Sequence, residues 1–267
     1  MTIRLALHTW TLDTTPLAEA LSVIKRTGWD GVELRRVDFE RAAEAGQSAE
    51  QVIALVRASE LPVACVGVEL GWVWASGEER ARLLRVFGEQ CARAKALGCA
   101  TMMSAVNRGR GDAAEAARSV REVGDIAREH GVRLAVEFNS QAEQLNALGP
   151  MREVVTRAAH PSVGLLLDTY HLGRTGASPR DLEDLRPEEI AYVQYSDVPR
   201  SGLEAGKALD RLPPGQGSVP FKEFFTAFAR QGYAGYASYE APNPAAWKRP
   251  AADVAREALE ATRAVLP

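Results

Sequence analysis

Residues 112–139 read DAAEAARSVREVGDIAREHGVRLAVEFN, and this stretch decides the fold. Asp112–Glu129 has the alternation of apolar and charged residues expected of an amphipathic helix. Gly131 stands just past it, where helices often end in a left-handed residue. Arg133–Glu137 is then apolar for most of its length, as a strand buried on both faces should be, and it closes on a carboxylate. Working outward, the same unit recurs. Further strands are expected at Ile3–Leu7, Gly31–Leu34, Val63–Val68, Ala100–Ser104, Val163–Asp168, Ile190–Tyr195 and Gly235–Tyr239, making eight in all. Further helices are expected at Leu17–Thr27, behind the cap-type run Asp13-Thr-Thr-Pro16, and at Ser48–Ser59, Glu78–Leu97, Pro150–Ala158, Phe221–Arg230 and Ala251–Val265. Gly28, Gly98 and Gly232 repeat the role of Gly131. Strands alternating with helices imply a parallel sheet. Eight such units fit an α/β fold of one closed (β/α)8 barrel spanning residues 1–267, close to the ~250 residues such a barrel uses. An open doubly wound sheet would want a glycine-rich phosphate turn early in the chain. The first strand is instead followed by His8-Thr-Trp-Thr-Leu-Asp13.

Composition excludes several classes. A net charge of −3 and an isoelectric point near 5.9 give no electrostatic footprint for nucleic acid. The apolar runs are too short to span a bilayer, and the first residues read as a strand, not a signal peptide. Cys65, Cys91 and Cys99 form no CxxC pair and read as reduced packing thiols of a cytoplasmic protein. The Gly- and Pro-rich segment Ser201–Pro220 is expected to be irregular, a long loop of the kind that often covers an active site.

In barrels of this type, chemistry gathers at the C-terminal strand ends. Four consecutive strands place Glu137, Asp168, Gln194 and Glu240 at that rim. Converging carboxylates repel one another unless a cation lies between them. Their hard oxygen donors suit Mg2+ or Mn2+, with Co2+ or Zn2+ as further candidates. Each residue alone has a plainer reading: Asp168 is more often a helix N-cap than a ligand, and Gln194 is an ordinary polar residue. The coincidence of all four carries the metal reading. Around them, His171, Glu143, Arg200, His8, Trp10 and Trp72 are candidates for binding substrate. The tryptophans would wall a sugar ring or else pack under a loop. Lys207 and Arg211 could meet a phosphate, in a loop that could equally be solvated.

These residues resemble the sugar phosphate isomerase/epimerase superfamily, the xylose-isomerase-like TIM barrels. The likeness runs along the chain from LALHTW and GWDGVELR through VEFN, LLLDTYHL and VQYSDVPR to SYE. It implies a metal held by Glu137, Asp168, the residue at 194 and Glu240. Glu137 and Glu240 would also serve as acid and base, and His171, Glu143 and Arg200 would contact substrate. Gln194 departs from the histidine usual in ketose 3-epimerases and is similar to the 3-dehydroshikimate dehydratase branch, while the Gly-Trp stretch at 71–72 is loosely similar to inosose dehydratases. No counterpart of the dehydroshikimate branch's arginine follows the third strand.

The resemblance implies abstraction of a proton next to a carbonyl, through an enediolate that a divalent metal stabilises. The leading expectation is an isomerase or epimerase of a sugar or keto-polyol. The alternative is a dehydratase, a lyase, of a cyclic hydroxyketone such as inosose or 3-dehydroshikimate. Family 2 AP endonucleases share the fold but want more metal-binding histidines than the four here and a basic face. A non-catalytic sugar-binding barrel is argued against by the intact pair Glu137 and Glu240. Barrels of this family often pair, so a homo-oligomer is in keeping with the resemblance.

Overall fold

The computed structural model describes residues 3–267. Its strands are β1 (Arg4–His8), β2 (Gly31–Leu34), β3 (Val63–Gly67), β4 (Thr101–Ala105), β5 (Arg133–Glu137), β6 (Val163–Asp168), β7 (Ile190–Tyr195) and β8 (Tyr236–Tyr239). All run parallel in sequential order, and β1 pairs with β8 to close the barrel. The fold class is the one the alternating pattern implies. β2, β5, β6 and β7 have the expected bounds, and the other strands shift by one residue.

The outer helices are α1 (Leu17–Thr27), α2 (Arg36–Glu44), α3 (Ala49–Ala58), α4 (Gly77–Ala96), α5 (Ala113–Glu129), α6 (Leu148–Ala158), α7 (Thr169–Arg174), α8 (Phe221–Arg230) and α9 (Ala251–Val265). α8 shows why they form where they do. Phe221, Phe224, Phe225 and Phe228 recur at helical spacing, and all four are buried. α1 ends because Gly28 takes φ +89°, donating its N–H to the carbonyl of Lys25. Two helices depart from expectation. α2 is mostly polar, with only Asp38 and Phe39 buried, so it carries little apolar periodicity. It starts because the Asp38 carboxylate turns back to accept the Arg35 N–H at 2.7 Å. α7 is a six-residue helix started by the Asp168 side chain, which accepts from the Tyr170 N–H.

Side chains alternate between the two faces of each strand. Leu5, Leu7, Val32, Leu34, Leu165, Leu167 and Val193 face the helices in the larger core cluster. Ala6, Cys65, Met103, Ala135, Leu166 and Tyr192 form a second cluster that fills the barrel interior. Small residues at Ala6, Ala64 and Ala135 leave room for the Tyr192 ring. One step further up the interior, two residues on from Ala6, Ala135, Leu166 and Tyr192, come His8, Glu137, Asp168 and Gln194. Glu33 is the register partner of His8 and joins the same layer. This layer is polar on β1, β2 and β5 through β8. On β3 and β4 it carries Gly67 and Ala105, which leave space.

Cys65, Cys91 and Cys99 are buried and unpaired. No helix among the described residues is long and apolar enough to cross a membrane. Residues 201–220 hold no helix or ladder strand, and one isolated bridge pairs Leu212 with Asp197, just past β7.

Candidate functional site

Glu137, Asp168, Gln194 and Glu240 meet at the C-terminal rim, all buried. One oxygen each of Glu137 and Asp168 and a ring nitrogen of His171 lie within 4.8 Å of one another, a spacing that can hold a metal ion. Asp168 Oδ1 caps α7 through Tyr170 N at 2.9 Å, while Oδ2 faces the site. The plainer reading of Asp168 as an N-cap is therefore true of one oxygen, while the other turns to the centre of the site, where it meets an arginine.

The sequence did not foreshadow what lies between the carboxylates. Arg211, from the irregular loop, is buried, and its Nη1 donates to Asp168 Oδ2 at 2.7 Å and to Glu240 Oε2 at 2.8 Å. It is therefore neither solvated nor a free phosphate ligand. Its guanidinium stacks on the Tyr170 ring at 4.3 Å. Burial opposes the guanidinium charge, but the surrounding carboxylates outweigh burial and hold the group charged. The loop is locked by Asp197, whose carboxylate accepts from Val198 N, Gly217 N and Val219 N at 2.7–2.9 Å. A Cβ at Gly217 would come within 2.1 Å of the Val198 carbonyl, so only glycine fits this close approach.

A second buried acid was also missed. Glu33 on β2 is fully buried and accepts from Gln194 Nε2 at 2.8 Å and Tyr192 OH at 3.2 Å. It stands one residue before the end of an apolar strand, as Gln194 does on β7. Only its period-two alignment with His8 could have revealed it.

Burial dominates the electrostatics. It pushes the Glu33 carboxyl up to about 8, with the charge of Glu240 adding to the effect. Burial and then the charges of Asp168 and Glu240 raise Glu137 well above the usual carboxylate range. Asp168 rises to about 6 because burial outweighs the pull of Arg211. Both histidines are held well below their usual range, by burial first. Arg35 and Arg211 then add to the effect on His8, and Arg211 and Arg174 to that on His171. Their neighbours bear on which ring nitrogen holds the proton. His8 Nδ1 accepts from Trp10 N at 3.0 Å, which leaves its proton on Nε2, 3.3 Å from Glu240 Oε1. For His171 the neighbours point both ways: Nδ1 lies 3.3 Å from Ser140 N–H, while Nε2 lies 3.5 Å from the donor Arg211 Nη2 and 3.7 Å from Glu137 Oε1.

Above these groups opens a cavity of about 470 Å3, a size suited to a small molecule. Its lining includes Glu137, Glu240, His8, His171 and Trp10, with an apolar wall of Val37, Val68 and Met103. Three expected substrate contacts lie elsewhere. Trp72 is core: it is 1% exposed, donates its indole N–H to Ser104 and packs on Phe87. Glu143 is exposed and faces Arg110 outside the cavity. Arg200 is exposed on its loop and does not line the cavity.

Glu137, Asp168 and His171 could hold a divalent ion, with Arg211 already seated on Asp168 Oδ2 and Glu240 Oε2. Glu137 Oε1 and Gln194 Oε1 are buried oxygens with no hydrogen-bond partner, which is costly unless a cation or ligand meets them. All the candidate ligand oxygens are hard donors.

Residues 21–265 match the family model described as Xylose isomerase-like TIM barrel. The chain belongs to this family. Within it, the chain is similar to the inosose isomerase of Bacillus licheniformis, 28% identical over 142 residues, which are 53% of this chain and 51% of that protein. It is also similar to the 3-dehydroshikimate dehydratase of Pseudomonas aeruginosa, 30% identical over 135 residues, which are 50% of this chain and 21% of that one. The chain thus spans about half the length of the inosose isomerase it matches and about a fifth of the dehydratase. Among solved structures of the fold, the IolI protein with a binding zinc atom superposes with a TM-score of 0.88 at 20% identity, covering 99% of this chain and 98% of that one. Family members similar to this chain are enzymes, named for isomerase and dehydratase reactions.

Proposed function

We propose that the protein is a divalent-metal-dependent isomerase or epimerase acting on an uncharged sugar or keto-polyol by removing a proton next to a carbonyl. One observation carries the reading. Glu137 is a buried carboxylate lining the cavity, and its Oε1 has no hydrogen-bond partner. Burial and the neighbouring acids push its carboxyl up, a cost that a cation at the site would relieve, returning it to the carboxylate a base must be.

The ligands would be Glu137, Asp168, Gln194 and Glu240. A bound Mn2+ or Mg2+ would supply Lewis-acid polarisation of the substrate carbonyl. In this reading Glu137 takes the α-proton. Glu240, whose oxygens face Arg211 and His8 in the resting site, would return a proton taken up from solvent, while the proton on Glu137 is lost to solvent before the next turnover. Return to the opposite face of the same carbon is epimerisation, and return to the neighbouring carbon is isomerisation. The His171 imidazole hydrogen-bonds a substrate oxygen, and Trp10 with the apolar wall receives the C–H face of the ring.

The cavity's arginines support an uncharged substrate. Arg35 pairs with Asp13 and Asp38, Arg36 with Glu40, Arg41 with Asp13, and Arg211 with Asp168 and Glu240. None is left to neutralise a substrate carboxylate or phosphate. The second reading is a dehydratase, favoured by Gln194 at the third ligand position and by the similarity to the dehydratase from Pseudomonas aeruginosa. There the same proton leaves and a β-hydroxyl follows it.

The test is incubation with Mn2+ or Mg2+ and a panel of ketoses, inosose and 3-dehydroshikimate in D2O. Each reaction is followed by proton NMR and mass spectrometry against a chelated control. The expected result is metal-dependent deuterium uptake at an α-carbon without loss of water, abolished in Glu137→Gln and Glu240→Gln. Loss of water from a cyclic ketone would replace the isomerase reading with the dehydratase. Full activity in both variants would overturn the acid–base assignment.

A further inference from the structure

We propose that Glu33 is a positioning residue: it holds the side-chain amide of Gln194 with nitrogen inward and oxygen toward the carboxylates, so that a glutamine can serve as an oxygen donor to a divalent ion. The inference rests on the metal-site reading above and deepens it.

A glutamine amide is nearly symmetric in shape but not in chemistry. One end donates and the other accepts, and a half-turn about the last torsion exchanges them. Only the oxygen end is a useful ligand for a hard cation. In the barrel interior that half-turn is decided by what lies behind the amide. Gln194 Nε2 lies 2.8 Å from Glu33 Oε1, across the barrel from β7 to β2. Glu33 Oε1 accepts from the amide nitrogen, which turns the amide oxygen away from it. Gln194 Oε1 is accordingly left buried without a hydrogen-bond partner.

Glu33 is itself fixed. Tyr192 OH donates to its Oε2 at 3.2 Å, and His8 Nε2, the protonated ring nitrogen, stands 3.7 Å from its Oε1. The Glu33 side chain is fully buried and does not line the cavity, so it acts on the chemistry only through the groups it holds. This is the logic by which outer partners orient metal ligands elsewhere, where losing one typically weakens metal binding about 10–100-fold. It also explains why an acid occupies an otherwise apolar strand. Without an acceptor at this place, Gln194 Oε1 would gain by turning away from the carboxylates toward any available donor.

The experiment is Mn2+ binding by titration calorimetry on the full chain stripped with chelator. It compares the wild type, Glu33→Met, Glu33→Gln, Gln194→Ala and the Glu33→Met/Gln194→Ala double variant. Glu33→Met keeps the volume and removes the acceptor, and it should weaken Mn2+ binding about 10–100-fold. Glu33→Gln keeps an acceptor oxygen and should restore most of the affinity. In the Gln194→Ala background, Glu33→Met should have no further effect, because the two residues act as one unit.

A wild type that binds no Mn2+ would overturn the metal-site reading itself. A wild type that binds Mn2+ with Glu33→Met binding equally tightly would overturn the role of Glu33 alone. So would additive losses in the double variant, which would mean that Glu33 acts by its charge and not through the amide. Should Glu33→Met fail to fold, Glu33→Asp draws the acceptor back by one methylene and keeps the charge. Mn2+ affinity equal to the wild type in that variant would equally overturn the proposal.

Discussion

Replacing Arg211 by methionine should destabilise the metal-free protein severely, and a divalent ion should reverse much of the loss. Arg211 is 3% exposed, and one of its nitrogens bridges Asp168 Oδ2 and Glu240 Oε2. Methionine keeps most of the stem and removes the charge, leaving two buried carboxylates face to face. At a separation of about 5 Å and an effective dielectric of about 20, their repulsion is about 3 kcal/mol. Breaking a buried pair by removing one partner typically costs about 3–5 kcal/mol, in agreement. For a chain of this size that corresponds to a fall in Tm of roughly 6–20 °C. The assay is thermal unfolding followed by circular dichroism at pH 8, with chelator and then with Mn2+. In chelator the variant should melt well below the wild type. Mn2+ at about 100 times its Kd should return about 2.7 kcal/mol, because it supplies the counter-charge that the arginine no longer provides. A variant as stable as the wild type in chelator would refute the reasoning. It would mean that desolvating the guanidinium costs as much as its two ion pairs return.

Three further outcomes follow from the same geometry. His171→Gln should lower kcat/KM about 10–100-fold while leaving Mn2+ affinity unchanged, as the substrate-contact role proposed above requires; a parallel fall in Mn2+ affinity would instead make His171 a ligand with Glu137 and Asp168. Burial raises the Glu33 carboxyl from 4.5 to about 8, so its contribution to stability is fully present below pH 4.5 and is lost as pH rises through 8. Urea unfolding in chelator should therefore show the wild type gaining on Glu33→Gln by a few kcal/mol as pH falls from about 8 to 5, and a difference that does not vary with pH would contradict that shift. Gly217→Ala forces a methyl to within 2.1 Å of the Val198 carbonyl and 2.5 Å of Asp197 Oδ1. It should cost about 1–3 kcal/mol in urea unfolding and speed limited proteolysis of the 201–216 segment, whereas wild-type behaviour in both assays would show that the loop gives way freely.

Most of the barrel could be read from the chain because its signals are local. Apolar strand runs repeat at each unit and helix-ending glycines at four of them, and β2, β5, β6 and β7 came out with the bounds the sequence implied. Elements that owe little to apolar periodicity were not visible. α2 is started by a single carboxylate turned back on the chain, and α7 by Asp168 acting as its cap. The same divide runs through the site. Glu137, Asp168, Gln194 and Glu240 stand at strand ends, where a list of terminal residues finds them. Glu33 stands one residue before the end of an apolar strand, and only the alternation of faces across β1 and β2 places it beside His8. Arg211 was illegible for a different reason. Its neighbours in sequence, glycines and prolines, are those of a solvated loop, whereas its partners Asp168 and Glu240 lie 43 and 29 residues away. Trp72 shows the converse error. An aromatic residue near a barrel mouth suggests a ligand wall, yet its ring lies under the loop among core side chains.

The Asp197 clamp has a bearing on how this barrel can diversify. By gripping Val198 on one side and Gly217 and Val219 on the other, it makes the excursion between them a closed appendage whose base is independent of its tip. Leu212, next to Arg211, is tied to the same aspartate by paired backbone hydrogen bonds, and Asn243 holds the Arg211 carbonyl. Arg211 therefore keeps its place by attachments to the barrel and not through the residues that precede it. The stretch from 199 to 209 meets Arg174, Arg108 and Gln141 through the backbone of Glu204 and Gly206, so its side chains can change across descendants of this chain, altering what the cavity admits while the charged centre beneath it is inherited intact.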